Sequence, residues 1–186
     1  MNKSLLIHQF LPNSRANGPG VRAVVWVQGC SLGCPGCYNP QTHSFDKGNW
    51  TPVEEIVNQI LQLGKAIEGI TISGGEPFQQ PEALYQFLGE IKAQTSLSTL
   101  VFSGYSLPEV QSRPLGKKII AYIDVLIAGR FNQQKRVAHG LLGSSNKKIH
   151  LLSDRYSGED IASVPEAELI LTPEGEILIS GIDPLL

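Results

Sequence analysis

Short apolar runs rich in β-branched residues recur along this chain, and each gives way to a polar or glycine-rich loop. The opening stretch MNKSLLIHQFLPNS and the runs at 23–28 (AVVWVQ), 69–73 (GITIS), 98–103 (STLVFS), 121–128 (AYIDVLIA) and 147–153 (KKIHLLS) predict strands. Between them the period changes. In TPVEEIVNQILQLGKA (51–66), Val53, Ile56, Val57, Ile60, Leu61 and Leu63 fall on one helical face, with Thr51 expected as N-cap and Pro52 as the first helical residue. In PEALYQFLGEIKAQ (81–94), Leu84, Phe87, Leu88 and Ile91 do the same, and a short helix is expected at 107–112. The end, ELILTPEGEILISG, places two apolar runs around Pro173-Glu174-Gly175, a hairpin signal that breaks the strand–helix rhythm.

Strands alternating with helices imply parallel βαβ units joined by right-handed crossovers. In such folds the loops at the carboxyl ends of the strands build the site. A closed eightfold barrel needs about 200 residues or more, so the expected fold class is α/β, an open partial (β/α) barrel with a mostly parallel sheet and a C-terminal β-hairpin. One domain over 1–186 is expected: an N-terminal strand and loop (1–22), a βα core (23–155) and a hairpin tail (165–186). The polar motifs follow the strands, so the cysteines, GGEP, SGY, AGR and LSDR should meet at one edge of the sheet.

Composition narrows the class. With 186 residues, 41% apolar, 17% charged and a formal net charge of −2, the chain has the make-up of a folded domain and no basic footprint for nucleic acid. Its apolar runs are far too short to span a bilayer. The first residues read as a strand rather than a signal peptide, so a cytoplasmic setting, where thiols stay reduced, is expected.

All three cysteines fall within CSLGCPGC, as Cys30-x3-Cys34-x2-Cys37. Soft thiolates select iron–sulfur clusters, zinc or copper(I). A [4Fe-4S] cubane normally takes four cysteines, so three would leave one iron open, as a catalytic centre requires. Two alternatives stay open at this level: zinc with His43 as fourth ligand, and unrelated buried thiols. Gly74-Gly75 alone reads as a tight turn with Glu76 a solvated carboxylate. An Arg at a strand end such as Arg130 is commonly just exposed, and Ser145 and Asn146 suit the cap of a turn. Arg130, Lys135, Arg136, Lys147 and Lys148 form a basic group, expected to be a solvated face or a dock for an acidic partner.

The stretch GPGVRAVVWVQGCSLGCPGCYNPQTHSF resembles the start of radical S-adenosylmethionine enzymes of the glycyl-radical activating type, whose hallmark is C-x3-C-x2-C after the first barrel strand. CPGCYNPQTH is most similar to the activating enzymes that serve the anaerobic ribonucleoside-triphosphate reductase; Gly36 precedes the third cysteine where many other members carry an aromatic, and Tyr38 follows it. SGGEP (73–77) resembles the GGE motif that contacts the methionyl amino group, and DVLIAGRF and GLLGSSN resemble further segments, so the likeness covers about residues 5 to 150. It departs at Ala128 and Asn17, where relatives often carry acidic residues, and in the hairpin tail.

The resemblance implies a [4Fe-4S] cluster on Cys30, Cys34 and Cys37, and S-adenosylmethionine bound by Gly36, Tyr38, Gly74, Gly75, Glu76, Pro77, Ser103, Arg130 and Asn146. It implies cleavage to a 5′-deoxyadenosyl radical with no protein acid or base. The implied partners are a glycyl-radical enzyme, such as the anaerobic ribonucleotide reductase large subunit, and a one-electron donor such as flavodoxin or ferredoxin, with no nucleic acid and no membrane. The alternative substrates are a small molecule, as for 7-carboxy-7-deazaguanine synthase, or a peptide; a non-enzymatic iron–sulfur or zinc protein is the other class.

Overall fold

The computed structural model describes residues 3–171 and 175–182. The chain runs through strands β1 (Ser4–Ser14), β2 (Arg22–Val27) and β3 (Asn49–Pro52), helix α1 (Val53–Leu63), β4 (Gly69–Gly74), α2 (Pro81–Gln94), β5 (Ser98–Ser103), α3 (Leu107–Ser112), α4 (Gly116–Ile120) and β6 (Val125–Ala128). It continues through β7 (Arg136–His139), β8 (Leu142–Ser144), β9 (Lys148–Leu151), α5 (Gly158–Ala162), β10 (Ala167–Leu171) and β11 (Ile177–Gly181). Seven strands form one sheet in the order β3-β1-β2-β4-β5-β6-β9.

The centre of that sheet is parallel: β2 on β4, β4 on β5 and β5 on β6. Its flanks are antiparallel: β1 on β2, β3 on β1 and β9 on β6. The expectation of a mostly parallel sheet therefore needs correcting. A parallel neighbour requires a crossover of a dozen or more residues, usually helical. No α-helix lies between β1 and β2, and between β6 and β9 the chain makes only the small β7–β8 hairpin. Both connections return the chain antiparallel.

Thr51 is not a helix cap. Asn49–Pro52 pair with β1, Thr51 opposite Leu5, and the helix starts one residue later with Pro52 as its extended N-cap. The strand expected over 121–128 is shorter than its apolar pattern, because Tyr122 and Ile123 close turns back onto Ile119 and Ile120 before β6 begins. The helix over 81–94 and the strand over 98–103 match the expected bounds.

Alternation along the strands gives the sheet two apolar faces. One packs Val25, Val27, Ile70, Ile72 and Val101 against Ile56, Ile60, Leu84, Phe87 and Ile91 of α1 and α2. Each fully buried aliphatic or aromatic side chain there contributes about 1.5–3 kcal/mol. The other face is smaller: Leu100, Val125 and Ile127 meet Leu141 ahead of β8, Ile161 of α5 and Val164.

The β10–β11 hairpin pairs Leu169 with Ile179 and Leu171 with Ile177, and all four side chains are exposed. It is fastened to the start of the chain. The Glu168 carboxylate accepts from the Ser14 hydroxyl and, at 2.8 Å, from the Arg15 N–H, and Asn17 Nδ2 donates to Ser180 Oγ at 2.7 Å. Gly175 is left-handed, as the hairpin reading requires; Pro173 and Glu174 of the expected turn, and 183–186 of the tail, lie outside the described residues.

Candidate functional site

Parallel strands end together, so the loops after β2, β4 and β5 meet at one edge of the sheet, around a cavity of about 320 Å³. Cys30, Cys34, Cys37, Tyr38, Gly74, Gly75, Glu76 and Ser103 all line it. Residues as far apart as 30 and 103 in sequence are thus brought to one place by the register of three strands.

The three thiols are free and half-buried. Burial pushes the Cys30 and Cys37 thiols up, while a backbone N–H donated by Leu32 to the first and by Asn39 to the second draws them down. Two inward N–H donors in a loop kept irregular by Pro35 and Gly36 are what a bound thiolate needs. Among the described residues no three His, Cys, Asp or Glu side chains converge as ligands of a single metal ion. A cubane makes no such demand, since each cysteine binds a different iron. Donor type, half-burial and inward N–H groups fit a [4Fe-4S] cluster on Cys30, Cys34 and Cys37.

The loop is held from beneath. Gly29 N–H donates to the Thr42 carbonyl at 2.8 Å and Cys30 N–H to the His43 carbonyl at 3.0 Å. Buried Gln28 reaches the Gln41 and Ser44 carbonyls at 3.1 and 2.7 Å through Nε2. His43 is thereby used through its backbone. Gln79 ties the loop to the next one: its Nε2 donates to Ser31 Oγ at 2.7 Å and Tyr105 Oη at 2.8 Å, and its Oε1 accepts from Ser31 N–H at 3.1 Å.

The GGEP turn is built around close backbone approach. Gly75 N–H donates to the Val27 carbonyl at 2.7 Å and Glu76 N–H to the Gly29 carbonyl at 2.9 Å. The carbonyls of Glu76 and Pro77 are taken as well, by Gln79 N–H at 3.0 Å and Gln80 N–H at 3.1 Å, so the second half of the turn is closed on itself. A Cβ on Gly75 would stand well inside van der Waals contact with the Gly29 carbonyl oxygen. Gly75→Ala is therefore expected to shift the turn away from the cysteine loop and, if the turn holds the S-adenosylmethionine that the resemblance implies, to weaken its binding at least tenfold, about 1.4 kcal/mol. Calorimetric titration of the reconstituted protein checks this, and unchanged affinity would refute it.

Glu76 is not a solvated carboxylate. It is fully buried and accepts from Phe78 N–H at 3.0 Å, Ser103 Oγ at 2.9 Å and Gly104 N–H at 2.7 Å. Burial raises its pKa, and those three donors pull it back. Ser103 in turn accepts from Tyr105 N–H at 3.0 Å. The pair fixes the loops after β4 and β5 relative to each other. Tyr38 stands in the cavity wall, its ring 4.9 Å from that of Phe131 in an edge contact, with the Arg136 guanidinium 5.1 Å from its centre.

Four expected site residues lie outside the lining. Gly36 is left-handed, and a Cβ there would press on Gln133 of the loop after β6. Pro77 is buried at the start of a helical turn. Arg130 is exposed and grips Glu109 through two bonds of 2.9 and 3.1 Å, with its guanidinium 5.6 Å from the centre of the Tyr105 ring. Asn146 donates Nδ2 to the Arg130 carbonyl at 2.9 Å and leaves Oδ1 buried without a partner.

Lys147 was expected on a solvated basic face. It is instead part-buried in the cavity wall, with Nζ donating to the Gly129 carbonyl at 2.8 Å. The second hairpin strand adds Leu178, Ser180 and, just beyond it, Ile182 to the wall. Neither contribution carries a local sequence signal. A lysine in a polar turn and an alternating tail strand look like surface until the sheet brings them inward.

Residues 16–150 match the family described as "4Fe-4S single cluster domain". The chain is similar to the anaerobic ribonucleoside-triphosphate reductase-activating protein of Pasteurella multocida, 37% identical over 135 residues that cover 68% of this chain and 84% of that one. It is likewise similar to the proteins of that name from Haemophilus influenzae (32% over 149 residues, 76% of this chain and 95% of that one) and Escherichia coli (32% over 152 residues, 78% and 97%). Among the described residues no helix is long and apolar enough to cross a membrane.

Proposed function

We propose that this chain, which belongs to the anaerobic ribonucleoside-triphosphate reductase-activating protein family, generates a glycyl radical on a partner reductase by reductive cleavage of S-adenosylmethionine. The observation that carries the reading is the shared cavity. Three half-buried thiols, two of them accepting backbone N–H groups, line one cavity with a glycine turn braced by a buried glutamate.

When bound, a [4Fe-4S] cluster and S-adenosylmethionine supply one-electron cleavage of the sulfonium to methionine and a 5′-deoxyadenosyl radical, which takes a hydrogen atom from a backbone glycine of the partner. The chain's own task is to bind, orient and shield. Cys30, Cys34 and Cys37 would hold the cluster through three thiolates, one fewer than its four irons. The turn at Gly74 to Pro77 orients the methionyl end, and Glu76 and Ser103 lock that turn against the loop after β5. Gly36 lets the cysteine loop close on the loop after β6, and Tyr38 walls the cavity. Arg130 and Asn146 act one step back, holding the loop after β6 against the turn before β9. No side chain is required as acid or base.

The parallel β2, β4, β5 and β6, with α1 and α2 packed on one face, support an open partial barrel of the radical S-adenosylmethionine type. A cytoplasmic location and a flavodoxin- or ferredoxin-like donor go with the same reading.

Anaerobic reconstitution with iron and sulfide should yield about four irons per chain. Dithionite should then drive formation of 5′-deoxyadenosine, and mixing with the anaerobic reductase should give the glycyl-radical doublet by electron paramagnetic resonance. A colourless protein holding one zinc and forming no 5′-deoxyadenosine would overturn the proposal.

A further inference from the structure

Lys147 belongs to none of the motifs that carry the function, yet it shares the cavity with Cys34, Cys37 and Glu76. It is the one Lys or Arg in that lining among the described residues. Arg130, the nearest candidate by sequence, is turned away onto Glu109.

The ammonium is held in place. Nζ bonds the Gly129 carbonyl at 2.8 Å, one residue past β6. The backbone is held too: Lys147 N–H donates to the Ser144 carbonyl at 3.1 Å, and a Cβ on Gly129 would stand 3.5 Å from Lys147 Cα. Asn146 Nδ2 on the Arg130 carbonyl, at 2.9 Å, fastens the neighbouring residue to the same loop. Burial lowers the lysine's pKa overall, against the opposing charges of Glu76, Cys34 and Cys37. One tethered cation thus lines the same cavity as a buried carboxylate and the thiols.

The charge balance gives this placement a consequence. With a cluster bound, its three thiolates would outweigh the charge of the iron–sulfur core, and the Glu76 carboxyl group shares the same partly desolvated pocket. Adding one electron to a cluster there deepens that charge, and a fixed cation nearby lowers the cost. Groups outside the ligand set commonly tune a metal centre in this way.

We propose that Lys147 is a positioning residue whose tethered ammonium favours the one-electron-reduced form of the cluster on Cys30, Cys34 and Cys37, raising its reduction potential. The inference rests on the function proposed above.

The test is a redox titration of the reconstituted, S-adenosylmethionine-free protein, following the reduced-cluster signal by electron paramagnetic resonance. Lys147→Met, or Lys147→Gln should the first fail to take up iron, is expected to shift the reduction equilibrium at least tenfold toward the oxidised cluster, ~59 mV lower for one electron. Lys147→Arg should stay near the wild type. Unchanged potential in the neutral variants overturns the proposal, and so does an equal fall in Lys147→Arg, which would mark a purely structural role. Weaker S-adenosylmethionine binding with an unchanged potential also overturns it, by making Lys147 a ligand contact. Wild-type protein that takes up no cluster sinks the underlying function as well, and iron analysis separates that case.

Discussion

Cys34→Ala is expected to leave the chain folded while cutting reductive cleavage of S-adenosylmethionine by at least two orders of magnitude, about 2.7 kcal/mol or more. The argument starts from where the thiol sits. Cys34 is half-buried on an irregular loop, outside both apolar cores. Its backbone carbonyl, which accepts Cys37 N–H at 3.2 Å, survives the substitution. Removing a surface thiol of this kind changes the stability of the iron-free chain by about 0.5 kcal/mol at most.

Iron uptake should respond differently. With two cysteines left, the cluster loses a corner ligand, and iron per chain after reconstitution should fall well below that of the wild type. His43→Ala is the control. Under a zinc reading it would remove a ligand, whereas here His43 supports the loop through its backbone carbonyl, which alanine retains. Wild-type iron content in His43→Ala with loss in Cys34→Ala is the expected pattern. Full turnover in Cys34→Ala would refute the ligand assignment.

The second large effect concerns stability. Arg22 is fully buried, and among the described residues its hydrogen-bond partners are hydroxyls and carbonyls. Its Nε donates to Thr71 Oγ1 at 2.8 Å, and one terminal nitrogen reaches Ser98 Oγ at 2.9 Å, the Pro19 carbonyl at 3.1 Å and Tyr156 Oη at 3.1 Å. The other donates to the Ile70 carbonyl at 2.7 Å and the Ser98 carbonyl at 3.2 Å. One side chain therefore joins β2, β4, β5, the loop before β2 and the segment after β9. Burial depresses its pKa, with Tyr156 acting against that; a guanidinium stays charged regardless.

Arg22→Met keeps the length and removes the charge, so part of the desolvation penalty disappears. It leaves several buried acceptors without their donor, at about 1–3 kcal/mol each before relaxation. The net loss is expected at about 3 kcal/mol, lowering the melting temperature of the iron-free protein by roughly 10 °C. Arg22→Lys should rescue little, because three donors at a point cannot replace a planar fork. Calorimetry decides this, and a loss under about 1 kcal/mol would show that the network is dispensable.

Arg22 also marks a limit of sequence reading. It stands beside a strand whose apolar alternation starts at Ala23, and nothing local separates it from an exposed charge at a strand edge. Its partners lie between 3 and 134 residues away. Thr51 shows the same limit in reverse: a Thr-Pro pair before an amphipathic stretch has the local chemistry of a helix start, but pairing of Asn49–Pro52 with β1 overrode it. Local propensity gives way where a neighbouring strand offers a ladder of hydrogen bonds.

By itself the sequence determined what covalent adjacency and periodicity determine. Three cysteines within eight positions are neighbours in any fold, so the donor set was legible, as was the GGEP turn one βα unit later. The helix over 81–94 and the central strands were legible because each carries its period in its own residues. Only the tertiary structure decided that β9 returns antiparallel, that Arg130 turns onto Glu109, and that Lys147 joins the thiols in lining one cavity. Each outcome depends on which distant segment meets which, a choice set by connection length, sheet register and the competition for buried acceptors, and none of these is written in a short stretch of chain.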